Sequence, residues 1–302
     1  MKFLKLIIVP LALAFSMPAF ADLNVFACEP HWAALAKAIG GDHVDVTSAT
    51  GAYNDPHYIQ ARPSLISKMR RANLVVCNGA QLEIGWLPIL LRQGDNPAVQ
   101  PGQPGYLEGA PLIQLLDVPT VVDRAQGDIH PDGNPHIQTD PNNIMKVAPA
   151  LAQRMAELDP ANAAYYQQHY QEFNSKFAAA IVKWSQEAAP LKGMQIITYH
   201  EGWVYMAHWL GLDVVGHLEP KPGIPPSPAH LADLLSQVKS QHVQGIVYTP
   251  YEEEQAAEWL SSRTGIPAAV IPDTVGADND PDLFTFYDVM VQQLLKLHGE
   301  AK

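Results

Sequence analysis

Apolar residues along this chain follow two alternating periods, and the alternation predicts the architecture. Leu23–Cys28, Val44–Thr47 and Leu74–Cys77 are short apolar runs with the length of buried strands. Between and after them, His31–Ile39, Pro63–Arg71 and Leu82–Leu91 place apolar residues at helical spacing. Short strands separated by helices of about ten residues form βαβ units and a parallel sheet. Residues 94–111 are rich in Gly, Pro, Asn and Gln and read as an irregular surface loop.

Helical spacing then dominates. Asn142–Ala156 is one helix, and Asp159-Pro160 restarts a longer one from Ala161 to Ala189, ended by Pro190. Tyr166, Tyr170, Phe173, Phe177, Ile181 and Trp184 recur at spacings of three and four, the mark of a buried face. At 1.5 Å per residue this helix would be on the order of 40 Å long, enough to join two lobes rigidly. Beyond it the alternation resumes. Strands are predicted at Gln195–Tyr199, Asp213–Val215, Gly245–Tyr248 and Ala268–Ile271. Helices are predicted at Trp203–Leu210, Pro228–Ser240, Glu252–Thr264 and Phe284–Leu297, with Ser227-Pro228 as a cap followed by a first-turn proline. The expected class is α/β, with an N-terminal lobe over 22–157, a linking helix over 158–190 and a C-terminal lobe over 191–302.

The first residues read as an export signal: Lys2 and Lys5, an apolar run from Leu6 to Phe15, and Ala19-Phe20-Ala21 as an A-x-A cleavage site over 1–21. The apolar run is too short to span a bilayer. Val25-Phe26-Ala27-Cys28 is a poor lipid-attachment site, because Asp22 and Asn24 separate it from the apolar run and Phe26 is bulky. The expectation is a periplasmic protein with no lipid anchor. Formal charge is −12, and two units more negative once Lys2 and Lys5 leave. An acidic chain without basic clusters argues against nucleic acid and anionic membranes as partners.

Cys28 and Cys77 each close a strand-like run, so in a parallel sheet they would end on the same edge. A disulfide between them would close a loop of about 50 residues. Two buried free thiols remain the alternative, and a thiolate metal ligand is the weakest reading, since histidines already fill the plausible sites.

Four residues carry the candidate chemistry: His57, His136, His200 and Asp273. Each sits where a turn signal interrupts an apolar run, in Asn54-Asp55-Pro56-His57, Asn134-Pro135-His136, Thr198-Tyr199-His200-Glu201 and Ile271-Pro272-Asp273. Each is expected just past the C-terminal end of a strand, the edge where open α/β sheets bind ligands. Three imidazoles and one carboxylate make a tetrahedral N/O set suited to zinc. Ligands this far apart meet only if the whole fold brings them together. His43, His169, His230, His242 and His298 read as solvated, and His208 and His217 as partly buried.

Asp55-Pro56-His57, Arg62-Pro63-Ser64, Asn78-Gly79-Ala80-Gln81-Leu82-Glu83 and Trp86 resemble the first-lobe signature of cluster A-I solute-binding proteins, the zinc and manganese receptors of metal-importing ABC transporters. Asn134-Pro135-His136 with Asp140-Pro141 resembles their second ligand segment, and Tyr199-His200-Glu201-Gly202-Trp203-Val204-Tyr205 their third. Glu219-Pro220, Pro226-Ser227-Pro228 and Thr264-Gly265-Ile266-Pro267 also fit, and Pro272-Asp273 falls at the fourth. The resemblance implies two α/β lobes, a backbone helix, and one divalent cation between the lobes held by His57, His136, His200 and Asp273. It further implies a monomer that hands its ion to a cognate ABC permease and is not an enzyme.

Manganese-preferring members generally carry a carboxylate where this chain has His200, so Zn2+ is expected, with Mn2+ as the alternative. Departures from the pattern are a loop reduced to Asp128-Ile129-His130-Pro131-Asp132, Asn134 for the usual Asp, and Gln138 where an aromatic is common. His130 would be a transient capture ligand or an ordinary loop residue. Glu252, Glu253 and Glu254 are expected to open a helix, with an alternative role as oxygen ligands. A zinc hydrolase is the competing class, but Val204 breaks any H-E-x-x-H after His200-Glu201. A metal-chelate receptor of the same fold is the third.

Overall fold

The computed structural model describes residues 22–277 and 281–300; the expected export signal over 1–21 lies outside them. Strands β1 (Leu23–Ala27), β2 (Val44–Ser48), β3 (Leu74–Cys77) and β4 (Tyr106–Glu108) form one sheet in the order β2-β1-β3-β4. Every neighbouring pair is parallel, with Val25 opposite both Val46 and Leu74. Helices α1 (Pro30–Gly40), α2 (Pro63–Arg71) and α3 (Leu87–Gly94) lie between these strands in the chain. Two helices follow, α4 (Pro141–Leu158) and α5 (Ala163–Glu187).

The second half repeats the plan. Strands β5 (Gln195–Thr198), β6 (Asp213–His217), β7 (Val243–Tyr248) and β8 (Ala268–Val270) form a parallel sheet in the order β6-β5-β7-β8. Its helices are α6 (Val204–Leu210), α7 (Pro228–Val238), α8 (Glu254–Thr264) and α9 (Leu283–Glu300). The expected α/β class with two parallel sheets and a long helix between them therefore describes the molecule. In each sheet the chain moves outward from its first strand and then returns to the other side. That reversal leaves a crevice at the C-terminal ends of β1 and β3, and another at those of β5 and β7.

Three element predictions need correction. The loop over 94–111 contains strand β4, whose Tyr106-Leu107-Glu108 is hidden among Gly, Pro and Gln and, unlike the equally short β8, is not an apolar run. The helix expected from Leu82 begins at Leu87, because Gly79, Ala80 and Gln81 hold φ of 78°, 48° and 65° and turn the chain left-handed. The long helix is 25 residues, preceded by a 3-10 turn at Pro160–Asn162. The cap at Ser227 is as expected, its side chain accepting from the His230 amide.

One apolar core runs through both halves. It joins Trp32 and Leu35 of α1, Phe173, Phe177 and Trp184 of α5, Ile196 of β5, and Phe286 and Tyr287 of α9. Helix α5 packs on α4 and α1 on one side and on α9 on the other. Trp184 Nε1 and Lys183 Nζ both donate to Asp288 Oδ1, at 2.6 and 2.8 Å. The two halves therefore share one packed core.

Candidate metal centre

The fold brings three of the four predicted residues into one cluster. One ring nitrogen each from His57, His136 and His200 lies within 4.8 Å of the other two. The ring centroids form a near-equilateral triangle with sides of 5.3, 5.3 and 5.4 Å. Only His200 and Asp273 follow strands closely, after β5 and β8. His57 sits nine residues beyond β2, and His136 lies in the turn that leads into α4. Their expected strand-end positions are corrected accordingly: the first two candidates hang on loops, and only the second two follow strands.

Each imidazole is held by a different device. Asp55 Oδ1 accepts from both the backbone amide and Nδ1 of His57, at 2.9 and 2.8 Å. That contact places the His57 proton on Nδ1 and turns Nε2 inward, where it is buried without a hydrogen-bond partner. Burial pushes the Asp55 carboxyl up, but its bond to His57 outweighs this and holds it below its usual range. His200 Nδ1 meets Glu219 Oε2 at 2.7 Å, and the same oxygen accepts from the Gly223 amide. Burial alone would lower His200; Glu219 reverses the sign and raises it.

His136 is 2% exposed, and its Nε2 is also buried and unpartnered. Burial and the neighbouring histidines hold it well below its usual range, so it stays neutral. Asn134, which replaces an aspartate in the family pattern, is an effective support for it. Its Oδ1 caps the His136 amide at 3.0 Å while its Nδ2 reaches across to the Glu201 carbonyl at 2.7 Å. The amide thus supplies a bond to the second lobe that a carboxylate lacks.

Asp273 stands apart from the cluster but has a buried Oδ1 with no partner, while Oδ2 accepts weakly from the Tyr251 hydroxyl at 3.3 Å. Burial lifts its pKa to about 7. Gln138 Nε2 donates to the Asp273 carbonyl, and Gln138 Oε1 accepts from Asn78 Nδ2. Asn78 Oδ1 in turn meets His31, whose Nδ1 contacts Thr274 Oγ1 at 2.9 Å. The glutamine therefore ties the fourth candidate to the first lobe.

The sequence singles out His130 and Glu252 beside the four candidates, but not His31. His31 is fully buried and lowered to about 3 by desolvation, a structural histidine whose only sequence signal is its place in the first turn of α1. His130 lies beside the cluster, its ring 5.4 Å from that of His57 and its Nε2 buried and unpartnered. Of the three glutamates expected to open a helix, only Glu254 does. Glu252 Oε2 accepts from the Thr249 amide, and its pKa is raised to about 8 by burial. A cavity of about 620 Å³ reaches the cluster past Tyr58, Tyr251 and Glu252, and a smaller one of about 200 Å³ reaches it past His130 and Glu201.

The model of the family described as periplasmic zinc-uptake complex component A (ZnuA) matches residues 25–299. The chain belongs to that family. Among relatives, the metal ABC transporter substrate-binding lipoprotein SloC of Streptococcus mutans is 22% identical, over 82% of this chain and 79% of its own length. The manganese ABC transporter substrate-binding lipoprotein scaA of Streptococcus gordonii is 24% identical, over 93% and 90%. A crystal structure of ZnuA superposes with a TM-score of 0.75 at 21% identity, covering 93% of this chain and 100% of that one.

These relatives correct one expectation. The chain was expected to carry no lipid anchor, yet SloC and scaA are both named lipoproteins. The expectation rested on Asp22, Asn24 and Phe26 before Cys28, a local spacing argument about one attachment motif. An acyl chain anchors through its own buried methylenes, so the sequence of the folded part carries little trace of it. Among the described residues, no helix is long and apolar enough to cross a membrane.

Proposed function

We propose that this chain captures a single divalent metal ion, zinc in preference to manganese, outside the cytoplasm and delivers it to the permease of an ABC transporter. The observation that carries this reading is the convergence of three imidazole nitrogens to within 4.8 Å of one another, in a fold that also buries Asp273 Oδ1 without a hydrogen-bond partner among the described residues. His57, His136 and His200 would supply nitrogen and Asp273 oxygen, a donor set that suits zinc by softness and by the Irving–Williams order. With four protein ligands the ion would keep no open position for water, which favours a carrier over a hydrolase. The names of relatives point to the same class, one of them a manganese receptor and another, from Streptococcus pneumoniae, a zinc-binding lipoprotein.

Capture should release protons. His200 is raised above its ordinary value by Glu219, and Asp273 titrates at about 7, so both gain protons as pH falls below neutrality. A metal must displace them, while neutral His136 has none to lose. Zinc affinity is therefore expected to fall by about tenfold to a hundredfold for each pH unit below about 6.5. Titration of zinc against manganese over this range checks both statements. A flat pH profile or a preference for manganese would overturn the reading.

A further inference from the structure

A second group of metal-binding side chains lies in the first lobe, away from the histidine cluster. The sulfurs of Cys28 and Cys77 and a carboxylate oxygen of Glu83 are all within 4.8 Å of one another. The two cysteines, at the ends of β1 and β3, are joined as a disulfide in the first sheet's crevice and are fully buried. Glu83 is 3% exposed. The left-handed turn over Gly79–Gln81 folds it back so that it accepts from the Asn78 amide at 2.7 Å.

Glu29, also 3% exposed, follows Cys28 directly and faces Glu83. Neither of its oxygens makes an aligned hydrogen bond. Two carboxyls and two sulfurs thus share one buried space, and among the described residues no salt bridge reaches either carboxyl. Burial raises both carboxyls; Glu83 adds to the rise at Glu29, whereas the contact between the two carboxyls lowers Glu83. A cavity of about 730 Å³ is lined by Glu83 together with Asp95, Glu108, Asp132 and one cation, Arg92, an excess of acidic groups.

We propose that reduction of Cys28–Cys77 converts this crevice into a second metal site, in which both thiolates and Glu83 bind one zinc-class divalent ion while Glu29 stays a neutral neighbour. An external dithiol supplies two electrons and two protons, breaking the S–S bond to leave two thiols and becoming a disulfide itself. The incoming M2+ then displaces the two thiol protons and forms two metal–sulfur bonds. Two thiolates with carboxylate oxygen suit zinc, cobalt or cadmium and disfavour manganese. The oxidised form holds no such site, so second-site binding reports the redox state of the chain.

The test is a Co2+ titration of the full chain, oxidised and after anaerobic reduction with a phosphine, with free thiols counted in each sample. Thiolate-to-cobalt charge-transfer absorption is specific to this site, because the histidine cluster contains no sulfur. The reduced chain is expected to develop that absorption to one equivalent, and the oxidised chain none. Cys28→Ser and Cys77→Ser should each abolish it, and Glu83→Gln should weaken Co2+ binding there by about tenfold. Two free thiols without the absorption would overturn the proposal, as would absorption surviving in either serine variant or unchanged affinity in Glu83→Gln. Thermal melts cover loss of fold: with the histidine cluster already filled by zinc, Co2+ raising the melting temperature of the reduced chain but not of the oxidised chain supports the site, and no rise counts against it.

Discussion

His200→Ala is expected to abolish tight zinc binding while leaving the fold intact. Structural zinc sites contribute about 10–16 kcal/mol over four ligands, so one ligand is worth about 3 kcal/mol, roughly a hundredfold to a thousandfold in affinity. The side chain borders both cavities, so its truncation enlarges space that is already open rather than cutting into the apolar core. Glu219→Gln should be milder, about tenfold to a hundredfold, because it removes only the carboxylate that orients His200. Calorimetric titration, with circular dichroism as the control on folding, separates the two. Equal effects from both variants would mean that Glu219 does more than orient its neighbour. Unchanged affinity in His200→Ala would remove it from the ligand set.

Replacing both Cys28 and Cys77 by serine is expected to lower stability by about 4 kcal/mol. The bond spans a sequence separation of 49 residues, and the entropy of an unfolded chain freed from a loop of that size gives about this figure. Both sulfurs are fully buried, and two hydroxyls in their place would add a desolvation penalty of their own. Urea denaturation of the double variant against the oxidised parent measures the difference. A loss under about 1 kcal/mol would show that the pairing of β1 with β3, rather than the crosslink, fixes this edge of the sheet. Zinc affinity at the histidine cluster should stay within a few-fold, since neither cysteine contacts those residues.

The architecture was legible wherever a period had room to repeat. The strands of five or six residues and the aromatic stripe of α5 are long enough to declare themselves, and Tyr166, Phe173, Phe177 and Trp184 are all buried. Strand β4 buries only Leu107 and lies among Gly and Pro, so it escapes notice where the equally short apolar β8 does not, and the turn at Ala80 and Gln81 follows from backbone angles that those residues seldom announce. The candidate site divides the same way. His57, His136 and His200 were marked by the turns around them, and the fold brings them together. The supports were hidden, because Glu219, Gln138 and Asn134 act on residues 19, 135 and 67 positions away. His130 carries no local signal that distinguishes it from a surface loop residue, yet it sits beside His57. Asn134 and Gln138, which depart from the family pattern, turn out to bond the two lobes together through Glu201 and Asp273.

The central claim is that one ion sits among His57, His136, His200 and Asp273. Anomalous X-ray diffraction at the zinc edge, from crystals grown with one equivalent of zinc, tests it most directly. The expected map has a single strong peak at about 2.0–2.2 Å from Nε2 of His57 and His136, a ring nitrogen of His200 and Oδ1 of Asp273. A peak elsewhere, or one on the three histidines with water in place of Asp273, would contradict it.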